Sequence, residues 1–286
     1  MFGLSQCLAI VAVAVWAILP ILIKHSAFDS NIALFLVVRF TLSTLLLASI
    51  MSSIVRKLAA LRPIEWLAFL LLNGVIYFLQ TLALQAMPAT LYIVVFSLTP
   101  ILCLVTLRIR LNVWGWLCVG ITLLSCIWFA QSGHKTGGGS NLSWMAMLAM
   151  LGGMVSWALY SAFIIRFQTT FSDIEIAGLS SLFGLMAAFP VWALAGFSTA
   201  GISLPSLGGA ALVGLIVPIG YYTYSFALRK TPVFAVTSQY FEPILALGVA
   251  VALTAETITA QQAVAALICI SAAALAERAG KQHAAG

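Results

Sequence analysis

Residues 64–88 read IEWLAFLLLNGVIYFLQTLALQAMP. From Ile64 to Ala86 the only charged side chain is Glu65, and it stands at the first turn. About 20 apolar residues in helical form cross the hydrocarbon of a bilayer, at ~1.5 Å of rise each. A helix facing water would carry a charged stripe opposite its apolar one, and this stretch has none. It is therefore predicted to cross a membrane, and the same signal recurs along the chain. Ten spans are expected, at 4–24, 31–54, 64–86, 89–107, 113–131, 143–166, 174–196, 206–228, 232–254 and 259–277. The fold class is all-α integral membrane.

Composition points the same way. Of 286 residues, 63% are hydrophobic and 7% charged, with a mean hydropathy of +1.13. Soluble domains carry about 25% charged residues, so no water-soluble surface is available to this chain. The apolar runs are long and continuous, unlike the short alternating strands of a membrane barrel. The N-terminal run lacks a basic leader and a small-residue cleavage site, and reads as a retained first helix.

The net charge is +6, but the basic residues are dispersed over the loops, which argues for membrane orientation and against nucleic acid. With the N-terminus in the cytoplasm, one face holds ten of the thirteen: Arg56, Lys57, Arg62, Arg108, Arg110, Arg166, Arg229, Lys230, Arg278 and Lys281. The other holds Lys24 and Lys135, and Arg39 lies within a span. Positive loops stay inside, so both termini are expected in the cytoplasm of a cell with a bacterial-type inner membrane.

The span that opened the reading has a counterpart. Tyr77-x-x-Gln80-Thr81-x-Ala83-Leu84-x-x-x-Pro88 matches Tyr221-x-x-Tyr224-Ser225-x-Ala227-Leu228-x-x-x-Pro232 in spacing. Pro100 and Pro243 follow in the next spans, and Trp16-Ala17 is matched by Trp157-Ala158. Five spans per half force the second half to enter the membrane in the opposite sense. The chain is thus expected to hold two inverted five-helix repeats, 1–131 and 143–286, joined by a glycine-rich outer loop at 132–142. Secondary transporters often use such repeats, with the substrate at the midplane between them.

These residues resemble the drug/metabolite transporter superfamily, in particular its EamA-type ten-helix members. Trp16 with Lys24, Arg39-Phe40, Met87-Pro88-Ala89 with Thr99-Pro100, and Glu242-Pro243 with Glu256 and Gln261 or Gln262 occur in that family's order. Two departures are an Arg108-Ile109-Arg110 stretch without an acidic residue, and Ala255 before Glu256. The resemblance implies export or exchange of small metabolites such as amino acids, and aromatic amino acid exporters belong to the same superfamily.

Ionisable groups at membrane depth are costly and usually functional. Arg39 and Glu242 both fall near the middle of their spans, where they are expected to act in gating or coupling, as a pair or apart. A static ion pair that only locks two helices is the plainer alternative. Helical spacing selects a set of substrate-binding candidates: Trp16, Tyr77, Gln80, Tyr92, Phe96, Trp157, Tyr221, Tyr224 and Gln239. Aromatic faces and neutral hydrogen-bonding groups suit a zwitterion or neutral solute with an apolar side chain. Packing within the bundle is the alternative use of each ring. In-span prolines mark bending points, and Ala210-x-x-x-Gly214 predicts a close helix contact.

Several function classes lack their residues. There is no G-x-x-x-x-G-K-[ST] and no H-E-x-x-H, and Cys7, Cys103, Cys118, Cys126 and Cys269 form no CxxC. The expectation is a gradient-driven carrier without metal or cofactor, not an enzyme. Its partners would be a small-molecule substrate and membrane lipid. Transport of other organic solutes or drugs, or a channel, are the alternatives.

Overall fold

The computed structural model describes residues 3–26, 31–59, 61–96, 98–107, 112–133, 144–253 and 258–284. Their secondary structure is helical throughout. Among the described residues, five helices are long and apolar enough to cross a membrane: α1 (Leu4–Ser26), α4 (Pro63–Ala86), α8 (Trp144–Phe167), α9 (Asp173–Leu194) and α10 (Leu204–Lys230). A sixth counts only if α2 (Ile32–Leu46) and α3 (Ala48–Leu58) form one span. The remaining helices are α5 (Ala89–Phe96), α6 (Thr99–Thr106), α7 (Val113–Gly133), α11 (Pro232–Ser238), α12 (Glu242–Leu253) and α13 (Ala260–Ala284).

The span expected at 31–54 is not one rod. It bends by 95° at Leu47, and α3 leaves along a new direction. Past the bend the helix has two faces. Ile50, Met51, Ile54 and Leu58 face the core, while Ser49, Ser52 and Arg56 are exposed. A helix with one polar face lies in an interface, because crossing lipid would strip those groups of water. The segments at 89–107 and 232–254 are likewise broken. α5 and α6 are separated by a turn at Leu98, and a 3-10 turn at Gln239–Phe241 separates α11 from α12. Each break precedes a proline, Pro100 or Pro243, which cannot donate to the preceding turn.

Helix starts are tied by short-range chemistry. The Glu175 carboxylate accepts from the Ser172 backbone N–H at 2.7 Å, opening α9. The Ser203 hydroxyl oxygen accepts from the Ser206 N–H at 3.2 Å, opening α10. Both satisfy donors that a helix start leaves unpaired. α9 ends at Gly196, whose φ of 69° lets Phe197 donate back to the Trp192 carbonyl at 3.1 Å, a turn in which a Cβ would be strained.

The long helices pair. α1 packs along α10, α4 along α8, α2 against α9, and α7 against α13. α10 also crosses α2 as α4 crosses α9, and α12 meets α1 as α6 meets α8. Match the five segments of the first half (α1, α2–α3, α4, α5–α6, α7) in order with those of the second (α8, α9, α10, α11–α12, α13). Exchanging the halves then maps each of these pairings onto another, or onto itself. In lipid no hydrophobic drive holds helices together, so close backbone approach matters. A Cβ on Gly214 would sit 2.6 Å from the Arg39 carbonyl oxygen, and Ala210 beside it is fully buried. The Ser43 hydroxyl donates to the Gly214 carbonyl at 2.6 Å. A Cβ on Gly184 would meet the Phe40 ring at 2.5 Å. Both contacts fix α2 on either side of Arg39.

The glycine-rich joining segment, from 134 on, and Glu256 with Ala255 and the Arg108-Ile109-Arg110 stretch lie outside the described residues.

Candidate functional site

A central cavity opens between the two sets of helices. Nine of the eleven candidate side chains line it: Trp16, Arg39, Tyr77, Gln80, Tyr92 and Phe96 from the first half, and Trp157, Tyr221 and Glu242 from the second. It is narrow. About 50 Å³ is open to the centre of a water molecule, room for roughly four waters at ~10–15 Å³ each. Sites for organic ligands run to several hundred Å³, so the cavity as it stands is too small for one. A wider void of about 410 Å³ lies between α2, α4 and α9. Its lining is almost wholly apolar, Tyr77 being the exception.

Residues matched between the halves touch each other here. Trp16 and Trp157 meet edge to face with ring centroids 5.1 Å apart. The Tyr77 hydroxyl donates to the Tyr221 hydroxyl. Tyr92 and Phe96, one helical turn apart, stack at 5.4 Å. Such pairs contribute about 0.5–1.5 kcal/mol each beyond their buried area, which holds the cavity wall in one arrangement.

Tyr224 and Gln239 do not line the cavity. Tyr224 sits behind it, 4.8 Å from Trp16 and 5.7 Å from Trp157 by centroid, and donates to the Ser161 hydroxyl at 3.2 Å. Gln239 is buried, and its Nε2 finds no partner. Gln239 opens the short 3-10 turn that precedes α12. Glu242 faces the cavity as the first residue of α12.

Arg39 is the eighth residue of the fifteen in α2, half way along. It is 2% exposed. Its guanidinium carbon lies 4.5 Å from the Tyr77 ring centroid and 5.0 Å from that of Phe40. Among the described residues it forms no ion pair with Glu242, although both border one cavity.

Sequence reasoning passed over three kinds of residue. Leu19 and Ile23 line the cavity at i+3 and i+7 from Trp16, and helical spacing would have found them. Tyr160, one turn from Trp157, is 1% exposed and 5.8 Å from Tyr221 by centroid. The third kind is a set of carboxylates at one end of the bundle. Glu65 accepts from Arg62 at 2.9 Å and from Arg166 at 2.7 Å. Glu175 accepts from Lys57 and from the Ser53 hydroxyl, both at 2.6 Å. Asp173 accepts from Ser225 at 2.9 Å and Arg229 at 3.1 Å. Arg229 also donates to the carbonyls of Gln168 and Phe171, at 2.7 and 2.9 Å. This network joins α3, α4, α8, α9 and α10 at the end where the basic residues gather. The cavity extends the other way, along Leu19, Pro20 and Ile23 near the end of α1. There Lys24 donates to the Met87 carbonyl at 3.3 Å.

The apolar helices define an integral membrane protein. Residues 144–277 match the family model of the EamA-like transporter family. A solved crystal structure, described only as that of a protein, superposes with a TM-score of 0.65 at 19% identity, over 96% of each chain. At that identity the likeness is one of fold. None of the curated proteins matches the sequence.

Proposed function

We propose that this protein is a secondary carrier that exports or exchanges amino acids or related small metabolites across a bacterial-type inner membrane by alternating access. Ten spans form two inverted repeats, with both termini in the cytoplasm. One observation carries the reading: aromatic and polar side chains from both halves converge on one central cavity, and the matched pairs Trp16/Trp157 and Tyr77/Tyr221 meet there. Contacts across a pseudo-two-fold axis are what two exchangeable halves produce. The exchange of helix pairings between the halves supports the same arrangement.

In this reading the ionic network lies on the cytoplasmic side and holds that side shut, while the cavity leans outward. Opening inward requires the Glu65, Asp173 and Glu175 contacts to part. Arg39 and Glu242 respond to substrate and to the driving ion. Proton exchange at Glu242 is the coupling step, since this carboxyl borders the cavity without an arginine partner among the described residues.

The test is transport by the purified protein in liposomes, against an amino-acid panel, with and without a pH gradient. Saturable movement of at least one amino acid, accelerated by the gradient, is expected. Glu242→Gln should abolish the acceleration while leaving substrate binding measurable. Full gradient-driven transport by that variant would remove Glu242 from coupling, and no movement of any amino acid would remove the substrate class.

A further inference from the structure

A buried guanidinium without an anion is an unusual object inside a membrane protein. It holds five N–H donors in a planar fork, and stripping a charge of water is costly unless a partner offsets it. Arg39 is buried, yet it donates no hydrogen bond to any described residue, and its Nε is sealed from solvent without a partner. Its neighbours are the faces of Tyr77 and Phe40. No carboxylate among the described residues pairs with it. A cation over two rings is only partly compensated.

The surrounding structure holds the cation in place. Gly214 brings the α10 backbone against the Arg39 carbonyl, and the Ser43 hydroxyl pins α2 to α10 one turn further on. Gly184 seats the Phe40 ring that flanks the guanidinium. Arg39 therefore borders the cavity from a fixed backbone, in a space that now takes only a few waters.

From this geometry we propose that Arg39 is the anchor for a carboxylate of the transported solute. The planar fork matches a carboxylate through two parallel hydrogen bonds. The missing counter-charge is supplied by the cargo, so an occupied site is neutral at Arg39 and an empty one is not. The tryptophan and tyrosine rings on the opposite walls then receive the rest of the molecule. This inference rests on the carrier reading above, and it narrows the substrate to acids and zwitterions.

The experiment measures equilibrium binding to the full chain in nanodiscs at constant ionic strength, read by intrinsic tryptophan fluorescence. The probes are phenylalanine, phenethylamine (no carboxylate), 3-phenylpropionate (no amine) and inorganic phosphate. Wild type should bind phenylalanine and 3-phenylpropionate about 10- to 100-fold more tightly than phenethylamine, the range expected of one charge-assisted pair. In Arg39→Gln that preference should vanish, and in Arg39→Lys it should be partly kept, because a point charge lacks the fork. Phosphate that competes equally well would mean a general anion site and overturn the carboxylate assignment. A preference that survives Arg39→Gln would overturn Arg39 as the anchor. Should Arg39→Gln fail to fold, the wild-type comparison decides: equal binding of phenylalanine and phenethylamine, or no response to any carboxylate, overturns the inference. Liposome transport of the same compounds separates the two readings. Transport of phenethylamine as fast as phenylalanine leaves the carrier standing and removes the anchor.

Discussion

Removing the charges of Glu175 and Asp173 should unlock the end of the bundle that the ionic network closes. Glu175 is 7% exposed in its side chain and holds Lys57, which is 38% exposed. Asp173 and Arg229 are 12% and 32% exposed. Hydrogen bonds to charged groups contribute about 1.5–3 kcal/mol when buried, and surface pairs at most about 1. These two lie between, so Glu175→Gln with Asp173→Asn should lose about 2–3 kcal/mol of closed-state preference. At 1.4 kcal/mol per decade this multiplies the open fraction by about 30 to 100.

A native reporter is at hand. Cys103 is fully buried on α6, its thiol 3.9 Å from the Ser161 hydroxyl of α8, between the cavity and the ionic end. With the other four cysteines replaced by serine or alanine, Cys103 should react slowly with a thiol reagent in the parent. In the double variant its rate should rise by about the same 30- to 100-fold, since labelling follows the open population. Lys57→Gln should reproduce the effect of Glu175→Gln, and combining the two should add little, because they break one contact. An unchanged Cys103 rate in a folded double variant would refute the lock.

Two stability predictions follow from the packing. Gly184→Ala puts a Cβ at 2.5 Å from the Phe40 ring, whereas Gly120→Ala meets nothing within 4 Å. Thermal unfolding in detergent should show the first losing about 1–3 kcal/mol and the second stable or slightly improved. Tyr77→Phe and Tyr221→Phe each remove the same hydroxyl–hydroxyl contact. Each should cost about 0.5–1.5 kcal/mol, and the double variant no more than the larger single one; additive losses would show that each hydroxyl serves a separate partner.

The helical class and most helix positions could be read from residue order, because lipid imposes one requirement on every crossing segment. It must be apolar all round and satisfy its own backbone, and IEWLAFLLLNG and its counterparts announce that locally. The candidate side chains were legible for a related reason: a polar or aromatic group deep in such a segment is costly or informative wherever it occurs, as with Arg39 and Glu242. Helix continuity was not legible. The bend at Leu47 and the 3-10 turn before Glu242 fall inside runs that read as continuous spans, and helical spacing did not separate Gln239, which stays off the cavity wall, from Glu242, which lines it. Partnership was invisible too. Lys57 meets Glu175, and Arg166 meets Glu65, across more than a hundred residues, and no local rule links them. Nor does order along the chain say that Arg39 and Glu242 share a cavity without pairing. Distances between helices are set by which small residues let backbones approach, as Gly184 and Gly214 do beside α2. The sequence alone thus determined the solvent and the elements, through energies that each segment meets by itself. The tertiary structure decided which charges are paired and which is left open, because that depends on atoms far apart in the chain.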